Sequence, residues 1–289
     1  MDILTFKLQL FMKHFLTYAT MLLTLAITGC QEDKNDDNNP LQPSAKTHNT
    51  IHYTTTDGEI ISSFSLEAID ATLVSNTYEN GVGSLVFDKD ITSIGERAFM
   101  GCNKLTSITI PKKVTSLGKA LFAYCPNLAE FKGQFATEDG LCLINEGVLY
   151  AYAPASKGTE YTIPEGVIII NMGAFVESKS LRKVTIPNSV GNIDIQAFSY
   201  CSNLTEITIP SSVTLVGESV FYSCSSLSKV YCRPTTPPAI ARVMPSDQFL
   251  GFGNTSGALK IYVPTQSVNL YKEADGWRDY ESVIVGYDY

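Results

Sequence analysis

The sequence predicts a repeat solenoid, β-rich, with a parallel sheet along one face and short helical or 3₁₀ turns opposite it. Three observations carry this expectation. A phenylalanine recurs in phase at Phe99, Phe122, Phe175, Phe198 and Phe221, with separations of 23, 53, 23 and 23 residues. Three residues after each stands a small side chain (Cys102, Cys125, Ser178, Cys201, Cys224), and three further on a leucine (Leu105, Leu128, Leu181, Leu204, Leu227). An Ile-Pro pair returns with the same period at Ile110-Pro111, Ile163-Pro164, Ile186-Pro187 and Ile209-Pro210. In-phase columns at a fixed period are the signature of a repeat architecture.

Taken in chain order, the first segment is a leader, residues 1–29. A short basic start precedes an apolar run from Phe15 to Ile27, and small residues follow. That run is short for a membrane span and flanked as a secretory signal is. Met12 is the more typical start. The run ends in Ile27-Thr28-Gly29-Cys30, which resembles the lipobox of bacterial lipoproteins. The resemblance implies that Cys30 carries the lipid; a plain signal peptide with an incidental cysteine is the other reading. In residues 30–50, Cys30 is followed by Gln31-Glu32-Asp33-Lys34-Asn35-Asp36-Asp37. They are acidic and lack large apolar side chains, so a solvated tether is expected. This stretch resembles that of surface-exposed lipoproteins of Bacteroidetes-type bacteria, which implies an outer-membrane location facing outward.

Residues 51–83 are expected to be an entry segment, with Asp57-Gly58 as a hairpin signal. The solenoid proper is expected over residues 84–265. Within each unit, Leu-x-x-Ile-x-Ile-Pro alternates with period two and is rich in β-branched residues, as a short strand is. Proline then ends the strand, because it has no N–H for the ladder. The stretch from the following valine to Ala-Phe-x-x-Cys has mixed three- and four-residue spacing and suits a helical or 3₁₀ turn. The last inward strand residue reads Phe87, Ile110, Gly133, Ile163, Ile186, Ile209, Cys232 and Val263, giving eight rungs. Two insertions interrupt the period. The one near 134–158 reads as a hairpin of Leu141–Ile144 with Val148–Tyr152, in place of a Phe-x-x-Cys turn. The one near 233–258 is rich in proline and glycine and reads as irregular loop. Residues 266–289 read as a cap, a helix followed by a turn at Gly276, with Trp277 as its buried anchor. One unit cannot bury enough surface to order itself, so neighbours share faces in one continuous core. The phenylalanines are expected to line up in a single interior row.

A period of 23 falls within the leucine-rich-repeat range, and the unit A-F-x-x-C-x-x-L-x-x-I-x-I-P-x-x-V-x-x-I-G resembles the BspA-like (treponemal) leucine-rich repeats of cell-surface proteins. The resemblance covers about residues 51–289. It implies an adhesin-like protein, not an enzyme, attached to host matrix proteins or other bacteria.

Composition narrows the chemistry. The formal net charge is −8, which disfavours nucleic acid as a partner. His14, His48 and His52 all precede the repeats, leaving little for histidine acid–base or metal chemistry. There is no Cys-x-x-Cys pair, and no dinucleotide fingerprint, nucleophile elbow or EF-type loop is complete. No catalytic residue, cofactor or metal is therefore expected. The repeat cysteines read as buried thiols, with disulfides between stacked rungs as the alternative.

What remains is the outward face of the strands. Four residues before each proline position come Ser84, Ser107, Glu130, Glu160, Lys183, Glu206, Lys229 and Lys260. Two before it come Val86, Thr109, Lys132, Thr162, Thr185, Thr208, Tyr231 and Tyr262. The alternating charges read either as a register-fixing ladder or as a recognition strip. The candidate binding face is Lys183, Glu206, Lys229, Tyr231, Lys260 and Tyr262, since aromatic residues beside cations are what interfaces favour. The expected partner is a protein or glycan at a host or bacterial surface, with the membrane engaged through lipid alone. The alternative is an accessory subunit of an outer-membrane complex. The sequence does not fix the oligomeric state.

Overall fold

The computed structural model describes residues 49–242 and 257–289, all within one compact unit spanning 46–289. The leader, Cys30, most of the tether and residues 243–256 lie outside the described residues.

The entry segment forms β1 (Thr50–Thr55), β2 (Leu73–Glu79) and β3 (Val82–Phe87). A hairpin does form here, but not at Asp57-Gly58. It joins β2 to β3 through Asn80-Gly81, whose φ angles of 51° and 83° are the left-handed pair that a tight two-residue turn needs. Asp57 instead pairs with Lys104. The repeats begin with β4 (Ser93–Ile94), β5 (Leu105–Ile110), β6 (Ser116–Leu117) and β7 (Glu130–Gly133). β1 slots antiparallel between β3 and β5, pairing His52 with both Ser84 and Thr109. Phe87 and Ile110, adjacent in the sequence-derived column, are thus parted by a strand from the start of the chain.

At the first insertion, β8 (Cys142–Asn145) and β9 (Val148–Tyr152) form the expected antiparallel hairpin. It ends the first sheet, whose order is β2-β3-β1-β5-β7. Gly133 closes that sheet at φ 80°, and a side chain there would run into the Ile110 carbonyl. Beyond the hairpin come β10 (Glu160–Thr162), β11 (Ile169–Ile170), β12 (Lys183–Thr185), β13 (Asn192–Ile193), β14 (Glu206–Ile209), β15 (Leu215–Gly217), β16 (Lys229–Cys232), β17 (Ala239–Ala241) and β18 (Lys260–Pro264). The cap is α1 (Val268–Glu273), a 3₁₀ stretch over Arg278–Val283, and β19 (Ile284–Tyr287).

Among the described residues, the turns of the repeats contain no helix. A second ladder, parallel from β9 through β11, β13 and β15 to β17 with β8 antiparallel at its edge, runs where the Val-x-x-Ile spacing suggested a helical turn. A third set of rung-to-rung hydrogen bonds follows at the phenylalanine turn, with Phe175 N–H donating to the Ala197 carbonyl (2.8 Å) and Phe198 N–H to Val220 (2.9 Å). Each such turn holds two left-handed residues four apart: Arg97 and Gly101, Ala120 and Tyr124, Gly173 and Glu177, Gln196 and Tyr200, Ser219 and Ser223. This backbone device, repeated with the sequence period, replaces the expected helix. β17 likewise places a strand inside the second insertion, which had read as loop.

The aromatic side chains form two stacked runs instead of one. Phe64, Phe99 and Phe122 stack at 5.9 and 5.4 Å; Tyr152, Phe175, Phe198 and Phe221 stack at 4.8, 4.9 and 5.8 Å. Phe122 tilts against Phe131 where the hairpin enters, and Tyr152 of the hairpin begins the second run. The core divides at the same place into two hydrophobic clusters, with Leu141 packed against both. The break is bridged at the turns, where Ala120 and Ala123 meet Val176.

All six cysteines among the described residues are buried and free. Cys125, Cys201 and Cys224 donate to the carbonyls of Phe99, Phe175 and Phe198 in the preceding rungs, at 3.1, 3.2 and 3.1 Å. In the cap, Trp277 is fully buried; its indole N–H donates to the Pro238 carbonyl (2.7 Å), and its ring meets Tyr271 edge-on at 4.8 Å. β19 adds itself parallel to β18 as the edge of the second face sheet.

Candidate functional site

The second face sheet runs β10-β12-β14-β16-β18-β19. Its inward residues, such as Val184, Ile207, Val230 and Ile261, are buried, so alternate residues must face outward. The pairing places Glu160, Lys183, Glu206, Lys229 and Lys260 side by side on successive strands. Beside them, Thr162 pairs with Thr185, and Thr208 with Tyr231 and then Tyr262. All six residues nominated from the sequence for binding therefore lie on one face. Among the described residues, no ion pair within 4.0 Å joins members of the charged column. The charges alternate from Glu160 to Lys229 without closing on each other, and their hydrogen-bonding groups stay available.

A groove of about 400 Å³ opens on this face. Lys183, Thr185, Glu206 and Thr208 reach it from β12 and β14. Glu165 and Asn188 reach it from the turns after Pro164 and Pro187, and Arg233 from the end of β16. Of the six nominated residues, Lys183 and Glu206 line the groove. Lys229, Tyr231, Lys260 and Tyr262 occupy the next two rungs.

Arg233 is a residue that the sequence reading passed over. It stands where five other rungs carry a proline, at Pro111, Pro164, Pro187, Pro210 and Pro264. Having an N–H, it extends the ladder by one bond to the Ile209 carbonyl (3.0 Å), and it brings a guanidinium to the groove. The break in the Ile-Pro column was the signal that could have found it.

Past the groove the face becomes aromatic. Tyr231 and Tyr262 stack at 4.9 Å with an interplanar angle of 18°. Tyr287 meets both edge-on at 5.6 Å, and Tyr289 meets Tyr287 at 5.0 Å. The Tyr289 hydroxyl donates to the Tyr262 carbonyl (2.8 Å), and Arg233 lies over the Tyr289 ring at 5.4 Å. Arg233 thus belongs to both groove and tyrosine cluster. Desolvation, with the buried Cys232 thiol beside it, raises the Tyr289 phenol above its ordinary value. Tyr287 and Tyr289 remain 42% and 51% exposed, so the cluster presents ring surface to solvent. They lie beyond the repeat period, in the tail, which is why no column revealed them.

The face offers two carboxylates, two cations, two hydroxyls and an amide around the groove, a neutral and polar set. Among the described residues, no group of three His, Cys, Asp or Glu is placed to hold a metal ion, and no helix is long and apolar enough to cross a membrane. Cys30 lies outside the described residues.

Known proteins place these features in context. The model of the BspA type leucine-rich repeat region matches residues 60–138 and 149–239, in six copies and over more than half of the chain. Among solved structures, a leucine-rich cell surface protein from Faecalibacterium prausnitzii is 28% identical with a TM-score of 0.52, over 68% of this chain and 50% of that one. A leucine-rich repeat protein from Eubacterium ventriosum is 25% identical with a TM-score of 0.43, over 55% and 42%. One from Bacteroides ovatus is 18% identical with a TM-score of 0.32, over 70% and 71%. The chain spans about half the length or less of the first two. No curated protein matches it. The repeat unit, the parallel rungs and the family match agree, and the chain belongs to the family of BspA-type leucine-rich-repeat proteins.

Proposed function

We propose that this protein is a lipid-anchored surface protein that works by binding, presenting its second face sheet to a macromolecule outside the cell in adhesion. The observation that carries the reading is the division of labour along each rung. The periodic Phe, Cys, Leu and Ile side chains are used up in the walls, while the outward columns stay in register over successive strands and leave their polar groups unspent. Solenoids characteristically use such extended faces for recognition. The leader, the Gly29-Cys30 pair and the acidic stretch after it support anchoring through Cys30, and the similarity to the Faecalibacterium prausnitzii leucine-rich cell surface protein supports the location.

Two experiments test this. Cells making the wild-type protein should incorporate a fatty-acid probe into it, and cells making Cys30→Ala should not; label persisting in that variant refutes the anchor. The purified whole chain should bind members of an array of host-matrix and bacterial-surface proteins and glycans, and deletion of the gene should weaken cell attachment. No binding above background together with unchanged attachment refutes adhesion. A stoichiometric membrane protein recovered from native membranes would favour an accessory subunit instead.

A further inference from the structure

We infer that the groove and the tyrosine cluster beside it form one binding site for a neutral oligosaccharide. The inference rests on the binding role proposed above and names its ligand class.

The chemistry of the lining points there. Glu165 and Glu206 balance Lys183 and Arg233, so the groove itself has no net charge to attract a polyanion, and Lys229 and Lys260 stand on the next two rungs with Tyr231 and Tyr262. Its other polar groups are the hydroxyls of Thr185 and Thr208 and the amide of Asn188. Carboxylate, guanidinium, amide and hydroxyl together supply both donors and acceptors, which is what a ring bearing many hydroxyls requires. Exposed tyrosine rings at one end supply flat surface for the C–H face of a pyranose. At about 400 Å³ the groove falls in the size range of small-ligand sites.

A peptide fits this site less well. At the groove, β12 and β14 are interior strands, hydrogen-bonded on both sides, so an added strand finds no edge there; the sheet's edges are β10 and β19. Val184, Ile186 and Ile207 are at most 7% exposed, and no large apolar side chain among the lining residues is free to anchor a partner. Recognition has to pass through polar side chains and the tyrosines.

Arg233 joins the two halves, since it lines the groove and also lies over Tyr289. Removing its guanidinium should cost hydrogen bonds to ligand and loosen the aromatic end together.

The test uses the whole chain against a printed array of neutral, sialylated and sulfated oligosaccharides, with an array of matrix proteins, native and deglycosylated, run in parallel. The strongest glycan is then titrated calorimetrically against wild type and against Arg233→Ala, Glu206→Gln and Tyr287→Ala, with Lys112→Ala as a surface control. Each variant is first checked for an unchanged melting transition. The inference predicts binding to neutral glycans, weakened about tenfold or more by Arg233→Ala and by Glu206→Gln, as expected for lost hydrogen bonds to charged groups. Tyr287→Ala should weaken it as well, and Lys112→Ala should have no effect. Binding confined to sialylated or sulfated glycans overturns the neutral assignment. Glycan binding indifferent to all three site variants overturns the site. Binding to deglycosylated proteins with no glycan bound overturns the saccharide and leaves the adhesive role standing; silence on both arrays overturns both.

Discussion

Ser178→Cys should stabilise the protein. Ser178 occupies the column that holds Cys102, Cys125, Cys201 and Cys224 in other rungs, and it is fully buried. Its hydroxyl has no hydrogen-bond partner. By contrast, the thiols of Cys125, Cys201 and Cys224 each reach the phenylalanine carbonyl 26 residues earlier. At Ser178 the equivalent carbonyl belongs to Tyr152, which stands in the aromatic run where a phenylalanine would be. A buried polar group left unsatisfied costs about 1–3 kcal/mol. A thiol is larger, more apolar and built to the column's geometry, so the substitution removes most of that cost and fills the site. The expected gain is about 1–2 kcal/mol, or roughly 2–8 °C in melting temperature for a unit of this size. Differential scanning calorimetry and urea denaturation measure it. A melting temperature that is unchanged or lower would refute the equivalence of column positions on which the estimate depends.

The remaining predictions concern backbone, core and pH. Gly101 has φ 75° with open space where a side chain would go, so Gly101→Ala should cost about 1–2 kcal/mol in urea denaturation from left-handed backbone alone. Ser223→Gly, at φ 59°, should shift the urea midpoint the other way by less, because glycine's greater unfolded-state entropy offsets part of the relief. Ile186→Asp puts a charge into the larger hydrophobic cluster. Far-ultraviolet circular dichroism and the fluorescence of Trp277, the chain's single tryptophan at the far cap, should both report destabilisation; an unmoved Trp277 transition would contradict shared stacking. Burial pushes the Cys142 and Cys232 thiols from an ordinary 9.0 up to about 12. Because the folded values are the higher ones, this contribution is complete below pH 9 and is lost as pH rises from 9 towards 12, so stability should fall across that window. The native thiols should also resist iodoacetamide at pH 8 and react on unfolding.

Much of this was legible because the repeat prints its register on the chain. The interior columns, the hairpin at 141–152 and the outward order of Lys183, Glu206, Lys229 and Lys260 all follow from period and strand alternation. What escaped was non-local. β1 inserts between β3 and β5, and nothing near Thr50 names Thr109 as its partner. The second ladder escaped because strands of two or three residues leave too short a pattern to separate from a turn, and the left-handed positions fall on residues as different as Arg97, Tyr124 and Ser223. At the site, Tyr287, Tyr289 and the glutamate and asparagine of the Pro-following turns were missed because they sit off the strand columns. Arg233 was visible only as a departure from Ile-Pro.

The equivalence of positions one period apart is tested most directly by excising a period. Deleting residues 187–209 removes 23 residues and joins Ile186 to Pro210, which restores an Ile-Pro pair and lets β12 lie beside β16 with Phe175 next to Phe221. A second deletion, residues 187–198, removes about half a period and throws every later column out of phase. Thermal unfolding followed by circular dichroism and Trp277 fluorescence should show a cooperative, folded protein for the first and loss of the transition for the second. If the in-phase deletion unfolds, or if the two behave alike, the side chains of this solenoid are not interchangeable walls.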